Sequence, residues 1–223
     1  MTDTLLNHRS IRKYKPDPIP NTILDYILEA GTRASTTGNM QLYSIIVTAD
    51  EEMKEKLSPC HFNQPMVKEA PVTLTFCADF NRFMLWCEQR QAEPGYDNFL
   101  SFFTAAIDAL LVAQNVCVAA EDAGLGICYL GTTTYMAGKI IEVLDLPRGV
   151  VPVTTVTVGY PDEWPEITDR LPLEAVVHLE KYQDYSTADI DIHYSENELM
   201  ASYQTFVKEH NKETLAQVFT DVR

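Results

Sequence analysis

One long apolar stretch, residues 98–123, constrains the fold more than any other part of this sequence. Its length and composition predict a single helix ending at Gly124, a residue suited to the left-handed conformation that often follows a helix. Because Asp108, Gln114 and Asn115 interrupt the apolar run, we interpret it as a buried helix and not as a membrane span. A helix that is apolar on nearly all sides needs cover on all sides, so we expect it in the core or between subunits.

The remaining hydrophobic pattern alternates between strands and helices. Apolar, β-branched runs predict strands at residues 43–49, 71–78, 127–130 and 150–158. Helical spacing predicts three shorter helices, which begin after the candidate caps Asn21, Asp50 and Thr134. Alternation of this kind indicates an α/β or α+β sandwich.

The C-terminal part of the chain is more polar. No Pro/Gly/Ser linker separates a second domain, so residues 1–223 are predicted to form one domain with an extension over about 182–223. A short strand at 175–179 and a final helix over about 196–208 are predicted there. The isoleucines alternating with acids at 189–193 favour an extended segment over a metal site. The extension has too few apolar residues to fold alone and is expected to wrap a neighbouring surface, which in a dimer would be that of the partner subunit.

Charge and cysteine usage exclude several classes of function. Thirty-two acidic against seventeen basic residues give a formal charge of −15, which repels nucleic acid and anionic lipid surfaces. The five cysteines are scattered, with no CxxC pair and no zinc pattern. Reduced thiols of this kind indicate the cytoplasm, and the first ten residues lack the features of a signal peptide.

Three polar elements carry residue types suited to a flat, phosphorylated ligand. Two cations, an imidazole and a hydroxyl suit a phosphate at His8, Arg9, Ser10 and Arg12. The loop at 35–41 offers hydroxyls and amides, among them Thr36, Asn39 and Gln41. The strand end at Tyr129, Leu130 and Gly131 allows close backbone approach at its glycine. The first element also fits a solvated basic patch, and the third fits an ordinary strand-to-helix turn.

In their order along the chain, six motifs resemble those of FMN-dependent nitroreductases, in particular the group of oxygen-insensitive nitroreductases and NADPH-flavin oxidoreductases. The motifs are HRSIR at 8–12, the Ser/Thr-rich loop before Gln41, FCADFNR at 76–82, AQN at 113–115, GLGxxYLG at 124–131 and DRLP at 169–172. Each is short, but the resemblance covers the chain from His8 to about Tyr185. The resemblance implies an α+β fold with a central, mainly antiparallel sheet flanked by helices. It also implies an intertwined homodimer with two FMN sites at the subunit interface, so that part of each site comes from the other subunit.

The resemblance further implies residue roles. His8, Arg9, Ser10 and Arg12 would anchor FMN at its phosphate and at the pyrimidine end of its ring, and Arg170 would be a second phosphate ligand. Thr36 and Gln64 match positions that contact the flavin, with Asn39 and Gln41 in the same loop as Thr36, and Tyr129, Leu130 and Gly131 match the segment along the ring. Arg12 is expected to stabilise the negative charge of the reduced ring. Thr168 stands where the family usually has lysine, which predicts weaker phosphate binding.

The activity implied is that of an FMN-dependent NAD(P)H oxidoreductase that reduces nitroaromatics, quinones or free flavin by a ping-pong mechanism, with no catalytic side chain beyond the cofactor. Relatives that prefer NADPH tend to have an arginine-rich end, whereas this chain has Lys208, Lys212 and Arg223 among acids, so both nucleotides stay open. Two alternatives also stay open: a flavin-binding protein without turnover, and a flavin-dependent dehalogenase-type relative.

Overall fold

A computed structural model describes residues 2–95 and 98–220, and the chain divides into two compact units, Met1–Ile167 and Thr168–Arg223. The second unit begins earlier than the predicted start of the extension near residue 182. The end of the predicted extension, with Arg223, lies outside the described residues.

The first unit is built on a four-stranded antiparallel sheet in the order β1-β2-β4-β3. The strands are β1 (Tyr43–Thr48), β2 (Val72–Asp79), β3 (Gly126–Leu130) and β4 (Val150–Gly159). All four predicted strands are confirmed, with ends shifted by at most one residue. Because β2 lies between β1 and β4, it is buried along its whole length, and Leu74 pairs with both Val47 and Val156. The α+β fold with an antiparallel sheet is confirmed.

Seven helices pack around this sheet in the described part of the first unit. They are α1 (Thr2–Leu6), α2 (Asn21–Thr32), α3 (Glu51–Leu57), α4 (Met66–Glu69), α5 (Asn81–Gln89), α6 (Phe99–Asp122) and α7 (Ala137–Val143). The predicted cap at Asp50 is confirmed, since its side chain accepts from the Met53 N–H at 2.9 Å. The caps predicted at Asn21 and Thr134 are wrong. Pro20 precedes α2 with an extended backbone, and a turn after β3 carries Thr134 in a helical conformation before α7 begins.

Helix α6 has the predicted length and is buried on one face only. The Asn98 side chain accepts from the Ser101 N–H at its start, and Gly124 follows its end with φ of 81°. Ala109, Val112 and Val116 on the buried face pack in the core with the sheet and α2. By length and composition α6 could also cross a membrane, a test that the core helix of a soluble protein passes as well. Its other face exposes an apolar stripe at helical spacing, formed by Phe99, Leu100, Phe103, Ile107, Leu110 and Leu111.

The second unit is helical over most of its described residues. It contains α8 (Thr187–Leu199), α9 (Ala201–Glu209) and α10 (Leu215–Phe219). The strand predicted at 175–179 is wrong, because Leu173–Ala175 forms a 3-10 turn and irregular backbone follows. The extended segment predicted at 189–193 is also wrong. Ser186 and Asp189 form a capping box at the start of α8, and the alternating isoleucines lie within this helix.

Candidate functional site

The segment that contains His8, Arg9, Ser10 and Arg12 runs alongside the start of β3. Ser10 forms a parallel bridge with Ile127, and the Ile11 N–H donates to the Ile127 carbonyl at 2.9 Å. Gly126 makes this approach possible, since a Cβ there would lie 2.6 Å from Ile11 Cγ1. Ile11 is buried, and side chains point to opposite sides in turn along an extended segment. The polar side chains on either side of Ile11 therefore face away from the core.

His8, Arg9 and Arg12 have different environments. His8 Nδ1 lies 2.7 Å from Glu121 Oε1 near the end of α6. Arg9 donates to the carbonyls of Asn7 and Pro165 and lies over the Trp164 ring at 5.8 Å from its centroid. Glu163 Oε1 accepts from the Arg12 backbone N–H at 2.7 Å, which fixes the chain. Within residues 2–95 and 98–220, the side chains of Ser10 and Arg12 have no hydrogen-bond or ion-pair partner.

The strand end at Tyr129, Leu130 and Gly131 leaves open space beside the backbone. Leu130 is buried, whereas the Tyr129 hydroxyl donates to Gln114 Oε1 at 3.5 Å. Burial raises the pKa of Tyr129, so its hydroxyl stays protonated at neutral pH. A Cβ on Gly131 would meet no heavy atom within 4 Å, other than those of its chain neighbours. A flat ligand could therefore lie against this turn without displacing a side chain.

Gln64 is joined to the same turn through His61. His61 is completely buried, and its Nδ1 is hydrogen-bonded to Thr132 Oγ1 at 2.8 Å. The Gln64 N–H donates to the His61 carbonyl at 3.1 Å. Burial lowers the pKa of His61 to about 4, so the ring is neutral at physiological pH. His61 thus ties the loop that carries Gln64 to the turn that carries Gly131.

The loop with Thr36, Asn39 and Gln41 is attached elsewhere. Asp108 on α6 accepts from the Thr37 N–H at 2.9 Å, and Arg82 donates to the Gln41 and Tyr43 carbonyls. The Gln41 side chain donates to Asn39 Oδ1 at 3.3 Å. The loop leads directly into β1, at the edge of the sheet opposite β3.

The predicted site residues of the first unit therefore form two groups. One group, at β3, comprises His8, Arg9, Ser10, Arg12, Gln64, Tyr129, Leu130 and Gly131; the other, before β1, comprises Thr36, Asn39 and Gln41. Strands β1 and β3 are three strand spacings apart, about 14 Å. Along α6, the anchors Glu121 and Asp108 are thirteen residues apart, about 20 Å. The structure brings each group together but does not bring the two groups into one pocket.

Arg170 belongs to the second unit. Its guanidinium donates to Thr168 Oγ1 at 2.8 Å and to the Asp169 carbonyl at 2.7 Å. Asp169 in turn accepts from the side chains of Asn197 and Tyr203, which fixes the DRLP motif onto α8 and α9. The hydroxyl of Thr168 therefore acts as an acceptor for Arg170.

Sequence reasoning missed the side chains that support the site: His61, Arg82, Asp108, Glu121, Glu163 and Trp164. Glu121 and Glu163 act on His8 and Arg12 across 113 and 151 positions, a distance that no local pattern reveals. A signal existed for Asp108, because a lone acid in the middle of an apolar helix needs buried partners. His61 gave no local signal.

Comparison with known proteins gives consistent matches. The sequence model of the nitroreductase family matches residues 5–160. Two Bacillus subtilis relatives are named FMN reductase (NADPH), 37% identical over 81% of this chain and 73% of the relative, and FMN reductase [NAD(P)H], 35% identical over 95% and 85%. A crystal structure of a Bacteroides fragilis protein superposes on this chain with a TM-score of 0.96 at 58% identity. The match covers 99% of this chain and 90% of that one, and that protein is named as an oxidoreductase only provisionally.

The buried, neutral His61 predicts a specific loss of stability in mild acid. The pKa of His61 in the folded chain lies below the unfolded value of 6.5. Its contribution to the free energy of unfolding is therefore complete above pH 6.5 and is lost as the pH falls toward 4. Between about pH 7.5 and about pH 5, this one group should lower the free energy of unfolding by about 2 kcal/mol. Urea unfolding of the wild type and of His61→Gln at both pH values measures it. The difference between the two pH values should be smaller in the variant, and an equal difference in both proteins would contradict burial of a neutral ring.

Proposed function

The chain is a member of the nitroreductase family, and from that premise we propose that it is an FMN-dependent oxidoreductase, which takes electrons from NAD(P)H and passes them to a small acceptor. The observation that carries the proposal is the surface along β3. There, the side chains of Ser10 and Arg12, which have no partner among the described residues, lie alongside the strand from Ile127 onward, and the open backbone of Gly131 follows the strand's end. Between Ile127 and Gly131 the strand rises about 13 Å, which suits a flat, elongated ligand.

The residues present fit FMN. Arg9 supplies a permanent cation and His8 an imidazole for a single phosphate in a chain that is otherwise strongly acidic, and Arg12 supplies a cation for the ring. Gly131 and the exposed side of Tyr129 would accommodate the flat ring, with Gln64 held nearby through His61. When bound, FMN supplies the redox chemistry, by accepting hydride from a nicotinamide and passing electrons on.

The chain itself contributes orientation and electrostatics. Glu121 orients the His8 ring, and Glu163 fixes the backbone at Arg12 while leaving its guanidinium free of partners among the described residues. A fixed cation at the pyrimidine edge would stabilise negative charge that develops on the ring during reduction. We assign this electrostatic role to Arg12, and phosphate binding to His8, Arg9 and Arg170.

We further propose that two copies share each site. Within one chain, the loop with Thr36, Asn39 and Gln41 is at the wrong edge of the sheet to reach a ligand along β3. The exposed apolar stripe of α6 is larger than a soluble monomer usually tolerates and calls for cover by another protein surface. A homodimer that pairs these stripes would bring the loop of one copy to the β3 surface of the other.

The acceptor class follows from the proposed cofactor. Nitroaromatics, quinones and free flavin are flat and accept electrons at the ring surface, and we propose them as acceptors, without a preference for NADH or NADPH as donor. All five cysteines are free and buried, which supports a reducing compartment such as the cytoplasm. The two alternatives, FMN binding without turnover and dehalogenase-type chemistry, are separated from this proposal by the acceptor tests below.

The proposed activity predicts that the purified protein is yellow, releases FMN and not FAD on denaturation, and loses its flavin absorbance when mixed anaerobically with NADH or NADPH. Adding a nitroaromatic, a quinone or free FMN should then restore the absorbance. Stopped-flow absorbance with both nucleotides and an acceptor panel measures it. Bleaching absent with both nucleotides would favour a protein that only stores flavin, and reoxidation by halogenated aromatics alone would favour the dehalogenase.

Truncation of Arg170 and truncation of Arg12 should cause different defects, in FMN binding and in flavin reduction respectively. Arg170→Ala removes a phosphate ligand where lysine is already absent at Thr168, so it should weaken FMN binding by about 1.5–3 kcal/mol. Arg12→Ala removes the charge facing the reduced ring, so it should lower the flavin reduction potential and slow reduction by at least about ten-fold, even at saturating FMN. FMN titration followed by anaerobic single-turnover reduction distinguishes the two defects.

Arg33→Ala is the matched control, since Arg33 is exposed and makes only a long ion pair of 3.9 Å with Glu29. It should bind FMN and be reduced as the wild type is. If excess FMN restores full reduction to Arg12→Ala as well as to Arg170→Ala, Arg12 is only another anchor and the electrostatic role is wrong.

A further inference from the structure

A carboxylate lies in the middle of the apolar helix α6. Asp108 has no exposed surface and sits between buried alanines at 106 and 109, whereas the other acids of α6, Glu121 and Asp122, are at its C-terminal end. Burying a carboxylate in such surroundings is strongly unfavourable unless both of its oxygens accept hydrogen bonds. The position of Asp108 therefore requires specific donors.

Those donors are the two ends of one loop. Oδ1 of Asp108 accepts from the Thr37 N–H at 2.9 Å, and Oδ2 accepts from the Leu42 N–H at 3.2 Å. Each oxygen thus accepts from one backbone donor, and the four residues between the donors, 38–41, are closed onto the helix. Bonds from N–H groups to a carboxylate are among the stronger hydrogen bonds of proteins.

The bracketed loop has an unfavourable backbone that needs such support. Gly38, Asn39 and Gln41 all have left-handed φ values, 58°, 54° and 55°. Arg82 binds backbone carbonyls of the same region. Its guanidinium donates to the Gln41 carbonyl and, at 3.0 Å, to the Tyr43 carbonyl. Asp108 therefore fixes the N–H groups of the loop and Arg82 its carbonyls. The side chains that this arrangement presents at residues 38–41 are exposed, so the loop contributes little to the core.

We propose that Asp108 is a positioning residue for the flavin site: by closing the loop between Thr37 and Leu42, it sets the side chains of Asn39 and Gln41 for the cofactor bound by the second copy. This inference rests on the proposed function, which places that loop in a shared site. A buried carboxylate that holds an exposed loop with left-handed residues is expected where the geometry of the loop matters more for function than for the stability of the fold. Asp108 touches no cofactor in this account and acts only through the loop.

Two variants test the role from opposite sides of the contact. Asp108→Asn keeps the size of the side chain but turns one acceptor oxygen into a donor that faces a backbone N–H. Thr37→Pro removes one donor and leaves α6 unchanged; residue 36 is extended and residue 37 opens a short helix, so proline fits there. Asp122→Asn, on the same helix but at its exposed end, is the control.

Both test variants should remain dimeric by light scattering while FMN binds more weakly, by about ten- to a hundred-fold for Asp108→Asn and about ten-fold for Thr37→Pro, as loss of a charge-assisted bond implies. The control should bind FMN as the wild type does. A role confined to stability would lower the melting temperature and leave the dissociation constant of the folded dimer unchanged. If Asp108→Asn does not fold, Thr37→Pro decides the question, because it leaves the helix intact.

Mixed dimers show on which copy the loop acts. When a copy with Asp108→Asn pairs with a copy with Arg12→Ala, a loop that serves the opposite copy places both defects in one site and leaves the other site intact. Half of the flavin should then bind with wild-type affinity and be reduced at the wild-type rate. If every site is impaired, the loop acts within its own copy and the proposal is overturned. If the wild type oxidises NAD(P)H but both loop variants bind FMN normally, only the positioning role fails; if the wild type itself is inactive, the proposed function fails.

Discussion

The uncovered apolar face of α6 is the constraint on which the rest of this structure depends. The helix is apolar on nearly all sides, but the sheet and α2 cover only the face that carries Ala109, Val112 and Val116. The stripe from Phe99 to Leu111 stays open to water in a single chain. Because the hydrophobic effect favours removing such a stripe from water, association of two copies is the simplest arrangement that completes the core.

The same helix also determines where the functional groups lie. Its C-terminal end holds His8 through Glu121, and its middle holds the loop before β1 through Asp108, about 20 Å away. Both contacts put polar partners on a helix that is otherwise apolar. If two copies pair through α6, folding, association and assembly of the site are coupled. A ligand that binds only the paired state would then stabilise the dimer by mass action.

Much of the fold was predictable because its signals are local. The β-branched runs located all four strands, and the Asp50 cap and the α6 boundaries followed from residues adjacent to them. The errors arose where a local feature competed with the pattern: Pro20 displaced the cap expected at Asn21, and the Ser186 capping box turned the alternating segment at 189–193 into a helix. The sheet order was not predictable, since pairing depends on contacts between distant segments.

The candidate site divides in the same way. The residue types of the HRSIR segment and of Gly131 were visible in the sequence, and the family to which they pointed is confirmed. The roles of individual residues remain predictions. The groups that orient them could not be read, because Glu121, Glu163 and His61 reach their partners across the fold. That two sets of site residues lie at opposite sheet edges became visible only when the strand order was known.

In the proposed dimer, a flavin site is complete only between two copies of the chain. Native mass spectrometry of the FMN-bound protein over a series of dilutions tests this directly, because each species reports its mass and its bound flavin together. We expect two FMN on every intact dimer and none on monomers that form on dilution. Monomers that keep one FMN each, with the affinity of the dimer, would contradict it.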